Sequence, residues 1–135
     1  MRRHIEQFGQ HLIFDAYGCK LDVLNNSKKT EEIINKLVII AGMHKLLEPV
    51  IVDVVSNTAV GGKDPGGNSG FVIIQESHIS IHTFALRGFV TIDVYSCRQF
   101  EVGGIIDYLC EVYEPEDHDV LSLDRGLKYP IDNIY

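Results

Sequence analysis

The sequence predicts an α+β fold: a two-layer sandwich with one mainly antiparallel sheet and helices on one face. Three observations carry that expectation. Runs rich in Val, Ile, Phe and Tyr cluster between residues 71 and 96. Only two stretches have helical periodicity. The chain has 135 residues, 45% of them hydrophobic, enough for one core. No repeat, low-complexity tract or linker divides it, so one domain over residues 1–135 is expected.

The first strand is expected over residues 11–17, ending at Gly18. Asn25-Asn26-Ser27 reads as a loop into a helix. Thr30 is the expected N-cap, and Glu31 and Glu32 suit the positive end of the helix dipole. Ile33, Ile34, Leu37, Val38 and Ala41 form one apolar stripe, with Gly42 as the stop. Residues 50–55 are rich in β-branched side chains and read as a strand. Residues 61–70 hold five glycines and Pro65, and are expected to be irregular. Residues 71–75, 78–84 and 89–96 then read as three consecutive strands. A second helix is expected over 102–112, weakened by Gly103 and Gly104, and a last strand over 119–123. The tail to Tyr135 has no clear element.

The formal net charge is −7. Nucleic acids and anionic membranes select a basic face, so neither is an expected partner. A small cationic ligand is compatible with the charge. The N-terminal residues lack the apolar run of a signal peptide, and no segment reaches the ~20 apolar residues of a membrane span. Three cysteines without a CxxC pair suggest reduced thiols and a cytoplasmic protein.

The most informative stretch is Glu76-Ser77-His78-Ile79-Ser80-Ile81-His82-Thr83, followed by a lone Cys97. Strand alternation puts His78, Ser80 and His82 on one face and Ile79 and Ile81 on the other. That is an odd way to build a core, and it suggests a polar pocket or a dimer interface. Four residues of strand separate His78 from His82 by roughly 13 Å, too far to share a metal, so no metal is expected. A phosphate loop fails as well, because Gly62-Lys63 is followed by Asp64 and Asn57 stands where its first glycine should be. The glycine run is a plain connection or a lid. Cys97 and His82 could pair as a cysteine hydrolase, but no local signature supports that, and a single cysteine is more often a small core residue.

Those eight residues, with Gly88-Phe89 and Ile92-Asp93-Val94-Tyr95-Ser96-Cys97, resemble the prokaryotic S-adenosylmethionine decarboxylase family. Ser69-Gly70 and the opening His11-Leu12-Ile13, Tyr17-Gly18-Cys19 are similar too. The register holds without gaps from Ser69 to Cys97, and the likeness spans roughly residues 8–100. The resemblance implies a proenzyme that cuts itself between Glu76 and Ser77, giving chains 1–76 and 77–135. Ser77 would become a pyruvoyl group that forms a Schiff base with the substrate amine, with no pyridoxal phosphate and no metal. By the same resemblance His82 is the processing base, Ser69 supports processing, and Cys97 is the proton donor in decarboxylation. The implied reaction releases CO₂ from S-adenosylmethionine, supplying the aminopropyl donor for spermidine in polyamine synthesis. The implied assembly is a homodimer of processed protomers, paired through the free sheet face.

Two departures bear on the substrate. The family usually has an adenine-stacking aromatic residue six positions before Ser69, where this chain has Lys63. It usually has a ribose-binding glutamate four positions after His82, where this chain has Leu86. Leucine accepts no hydrogen bond, and each lost contact typically costs ~1–3 kcal/mol. The alternative is therefore the same chemistry on arginine or ornithine, with Asp64 as a carboxylate for the cationic side chain. A non-catalytic regulatory partner is a third reading, but such a subunit would have no need of Glu76-Ser77, Ser69, His82 and Cys97 together.

Overall fold

The computed structural model describes residues 5–6, 8–54 and 66–135. The alternating apolar runs become strands of one sheet. β2 spans Gly9–Tyr17, β3 Val50–Val54, β4 Gly67–Ile74, β5 Ser77–Phe84, β6 Phe89–Ser96 and β7 Asp117–Arg125. They stand in the order β3-β4-β5-β6-β2-β7, and every neighbouring pair is antiparallel. A separate two-stranded ribbon pairs β1 (Ile5–Glu6) with β8 (Tyr129–Pro130), near the two chain ends.

Period two decides which side of the sheet is covered. Leu12, Phe14, Val72, Ile79, Ile81, Val90, Ile92 and Val94 all point to one face and are fully buried or nearly so. Against them pack Ile33, Ile34 and Leu37 of α2 (Ser27–Ile40) and Ile105 and Leu109 of α3 (Gly103–Tyr113). A four-residue helix, α1 (Leu21–Leu24), buries Leu24 in the same core. The result is the expected two-layer α+β sandwich, with helices on one face of an antiparallel sheet.

The opposite face carries His11, Asp93, Tyr95, His78, Ser80 and His82, as the cross-strand pairs Ser80↔Asp93 and His78↔Tyr95 require. Around them Val52, Phe71, Leu121 and Leu123 are exposed. Exposed apolar side chains gathered on one sheet face are a feature of interaction surfaces.

Several sequence expectations shift in the structure. Gly67–Gly70 is not irregular but opens β4. The glycines there serve close approach: a Cβ on Gly67 would lie 2.3 Å from the Thr83 carbonyl oxygen, and one on Gly70 2.5 Å from Ile51. Asn26 caps α2 in place of Thr30, its side chain accepting from the Lys29 N–H at 3.0 Å. Thr30 is buried instead and donates to Asn68 Oδ1 at 2.6 Å. β7 runs nine residues, longer than expected, because it pairs with β2 along its whole length. Its charged ends, Asp117, Asp119, Asp124 and Arg125, suit an edge strand. Val55, Lys63 and Asp64 lie outside the described residues.

Candidate active site

β4 and β5 are joined by only two residues, Gln75 and Glu76, with Ile74 paired to Ser77. Two-residue hairpins favour turns whose central residues take positive φ. Gln75 and Glu76 do not; Ser77 does, at φ 153°. A non-glycine residue seldom adopts that conformation, and its cost is borne where the surroundings enforce it. The irregularity of the turn thus falls at Ser77, on the N–Cα bond next to the Glu76–Ser77 peptide.

The surroundings do enforce it. Glu76 is 7% exposed. Its carbonyl oxygen accepts the Cys97 N–H at 2.7 Å. Its carboxylate accepts the His44 N–H at 3.1 Å and the His44 ring Nδ1–H at 2.9 Å, with the Arg98 guanidinium 3.7 Å away. Burial alone would push this carboxyl up, but the hydrogen bonds from the His44 ring and main chain outweigh it and hold it below its usual range. Glu76 is therefore ionised at neutral pH.

Cys97 follows the last residue of β6 and is partly buried. Gly9 makes room beside it; a Cβ there would meet the Ser96 carbonyl oxygen at 2.3 Å and the Cys97 Cα at 3.2 Å. Buried Gln10 holds the following loop, accepting the Phe100 N–H at 3.1 Å and donating to Ser122 at 3.1 Å. Ser77, Glu76, Cys97 and Arg98 thus share one end of the sheet.

Ser69 and His82 form a second group. They face each other across β4 and β5, with 2.8 Å between Ser69 Oγ and His82 Nδ1. Beneath them lies a buried polar knot. The Asn68 N–H donates to Thr83 Oγ1 at 2.8 Å, and Thr83 Oγ1 donates to the Leu24 carbonyl at 2.7 Å. Such satisfied buried networks fix geometry, so Ser69 and His82 sit on a rigid base.

The structure does not bring Ser77 to His82 within one chain. Five residues of extended strand separate them by about 17 Å. One chain carries two half-sites, a strained turn with a thiol and a serine–histidine pair.

Between the half-sites the outer face is polar and aromatic. His11 Nε2 lies 2.9 Å from Asp93 Oδ1. The Arg125 guanidinium sits 4.0 Å over the Tyr95 ring, and His78 meets that ring edge-on. Burial, then the neighbouring His11, pull the His78 pKa down. Leu86 lies in a short turn, Ala85–Arg87, and is 69% exposed. Among the described residues, no three His, Cys, Asp or Glu side chains gather as a metal would need, and no helix is long and apolar enough to cross a membrane.

A sequence profile described as S-adenosylmethionine decarboxylase matches residues 10–126. The chain belongs to the S-adenosylmethionine decarboxylase family. It is 31% identical over 123 residues to the S-adenosylmethionine decarboxylase proenzyme of Moorella thermoacetica, covering 90% of each chain. It is 32% identical over 124 residues to the proenzyme of Geobacillus kaustophilus, covering 92% of each. The crystal structure of the adenosylmethionine decarboxylase from Aquifex aeolicus superposes with a TM-score of 0.72 at 25% identity, covering 96% of this chain and 99% of that one.

Sequence reasoning missed His44, Arg98, Gln10 and Gly9. His44 precedes Glu76 by 32 residues and no spacing rule links them. Arg98 follows Cys97 directly, and a cation beside a candidate thiol was the one available signal.

Proposed function

We propose that this chain is a self-processing, pyruvoyl-dependent decarboxylase of polyamine synthesis, with S-adenosylmethionine as its substrate. The observation that carries the reading is the held turn: Glu76 fixed at carbonyl and carboxylate, with Ser77 next in a strained backbone.

In the processing step Ser77 Oγ adds to the Glu76 carbonyl carbon as its proton leaves. The Cys97 N–H, 2.7 Å from that carbonyl oxygen, is placed to stabilise the oxyanion that forms. The C–N bond breaks, the Ser77 nitrogen takes up a proton, and an ester remains. Removal of the Ser77 α-proton then expels Glu76 as a free carboxylate. The dehydroalanine left behind tautomerises to an imine, water adds, and ammonia departs.

The position fits the pyruvoyl group this would create. Ser77 is partly exposed and stands opposite buried Ser96, the residue before Cys97. Once formed, the group supplies an electrophilic carbonyl and a sink for the electrons released with CO₂. Cys97 returns the proton to the substrate α-carbon. Cutting after Glu76 severs only a turn. β2 of the first fragment lies between β6 and β7 of the second, so the pieces share one sheet.

His82 and Ser69 act in this reading on the Ser77 of a second copy. The two half-sites lie toward opposite ends of β5, and a face-to-face dimer with a two-fold axis lays each half-site over its complement. Exposed Val52, Phe71, Leu121 and Leu123 on that face support the pairing. The site is then complete twice per homodimer, and the protein is cytoplasmic.

A second reading keeps the chemistry and changes the substrate to arginine or ornithine. Leu86 favours it, since its side chain cannot accept a ribose hydroxyl. Asp64 would hold the substrate cation. The discriminating experiment measures CO₂ release from labelled S-adenosylmethionine, arginine and ornithine. Release from S-adenosylmethionine alone is expected; release from arginine or ornithine alone would overturn the substrate assignment. In the same assay Cys97→Ala should still be cut but lose at least roughly a hundredfold in turnover, the usual scale for a positioned proton donor. Turnover at the wild-type rate would remove Cys97 from that role.

A further inference from the structure

Self-cleavage needs a nucleophile and a base, but it also needs a scissile carbonyl held still. Glu76 is held by its own side chain. Met43 to Leu47 runs as a strap antiparallel to the end of β4. The Gln75 N–H donates to the His44 carbonyl at 2.9 Å, and the Leu46 N–H donates to the Ile73 carbonyl at 3.0 Å. Lys45 and Ile74 form a β-bridge between those bonds. The strap is thus locked to the very hairpin whose turn is cut.

From this strap His44 reaches the Glu76 carboxylate twice, once by main chain and once by ring. Arg98 closes the other side, 3.7 Å from Oε2, while its guanidinium also donates to the Gly42 carbonyl at the start of the strap. The His44 side chain is 65% exposed, whereas that of Glu76 is 9% exposed. A histidine this exposed adds little to the core. Its ordered contact is with the one residue whose carbonyl is attacked.

We propose that His44, backed by Arg98, is a positioning residue for self-cleavage: it clamps the Glu76 carboxylate so that the Glu76 carbonyl stays on the Cys97 N–H and within reach of Ser77. This rests on the self-processing proposed above. The donors are fixed before the reaction, so they cost no reorganisation during it. Misplacement of a reacting carbonyl by about 1 Å can cost on the order of a hundredfold in rate.

The test follows the appearance of the two fragments with time in freshly synthesised full-length chain. His44→Ala removes the ring donor and leaves the strap's main-chain bonds intact. It should slow cleavage by about tenfold or more. His44→Asn, whose amide can donate from nearly the same place, should restore most of the rate. Thermal unfolding measured on an uncleavable Ser77→Ala background should fall only slightly with His44→Ala, because the His44 N–H and Arg98 still face the Glu76 carboxylate. CO₂ release per cleaved chain should also be unchanged, because the clamp acts before the pyruvoyl group exists. Cleavage of His44→Ala at the wild-type rate would overturn the clamp and leave the proposed function standing. Equal slowing by His44→Ala and His44→Asn, or a matching fall in unfolding temperature, would also overturn it, as a structural effect. No cleavage of the wild-type chain would overturn both.

Discussion

Ser77→Ala should leave a single uncut chain with no carbonyl reactivity and no decarboxylase activity. The expected loss is complete, because alanine removes three functions together. It has no oxygen to attack the Glu76 carbonyl, none to form the ester, and no leaving group on Cβ for the elimination. The fold should survive. Ser77 is partly exposed at the first position of β5, and its neighbours are held by main-chain pairing to β4 and β6. Intact mass and circular dichroism check the two halves of this prediction. A Ser77→Ala chain still cut after Glu76 would show that another group attacks the bond.

Mixing two dead chains should produce a live one. Ser77→Ala keeps His82, and His82→Ala keeps Ser77. Each alone should remain uncut. In a co-expressed equal mixture of freely pairing chains, roughly half of the His82→Ala chains would sit opposite a Ser77→Ala partner, and these should be cleaved. The physical reason is the strand. Five residues of β5 place Ser77 and His82 about 17 Å apart, far outside the ≈3 Å reach of a general base. Mass analysis of the mixture reads the result directly. No cleavage in the mixture, or cleavage of His82→Ala alone, would remove the shared site.

Much of this was legible in the sequence. The run from Phe71 to Ser96 shows its strands because it is dense in β-branched and aromatic residues, which in β5 and β6 alternate with polar ones. The start of β4 was not legible. Gly67 and Gly70 look like loop residues, and only the crowding by Thr83 and Ile51 explains them as strand glycines. The length of β7 was hidden by its charges, which a buried strand would exclude and an edge strand favours. The separation of Ser77 from His82 was implicit in the strand period. His44 was out of reach, since its link to Glu76 depends on a strap whose path no local pattern reveals.

In the proposed function Ser77 cuts the chain and becomes its prosthetic group. Denaturing intact-mass analysis of the wild-type protein tests it most directly. Two masses are expected, for residues 1–76 and 77–135, the second lighter by one ammonia than simple hydrolysis would leave it. A single mass for the whole chain, or a second fragment beginning with an ordinary serine, would contradict it.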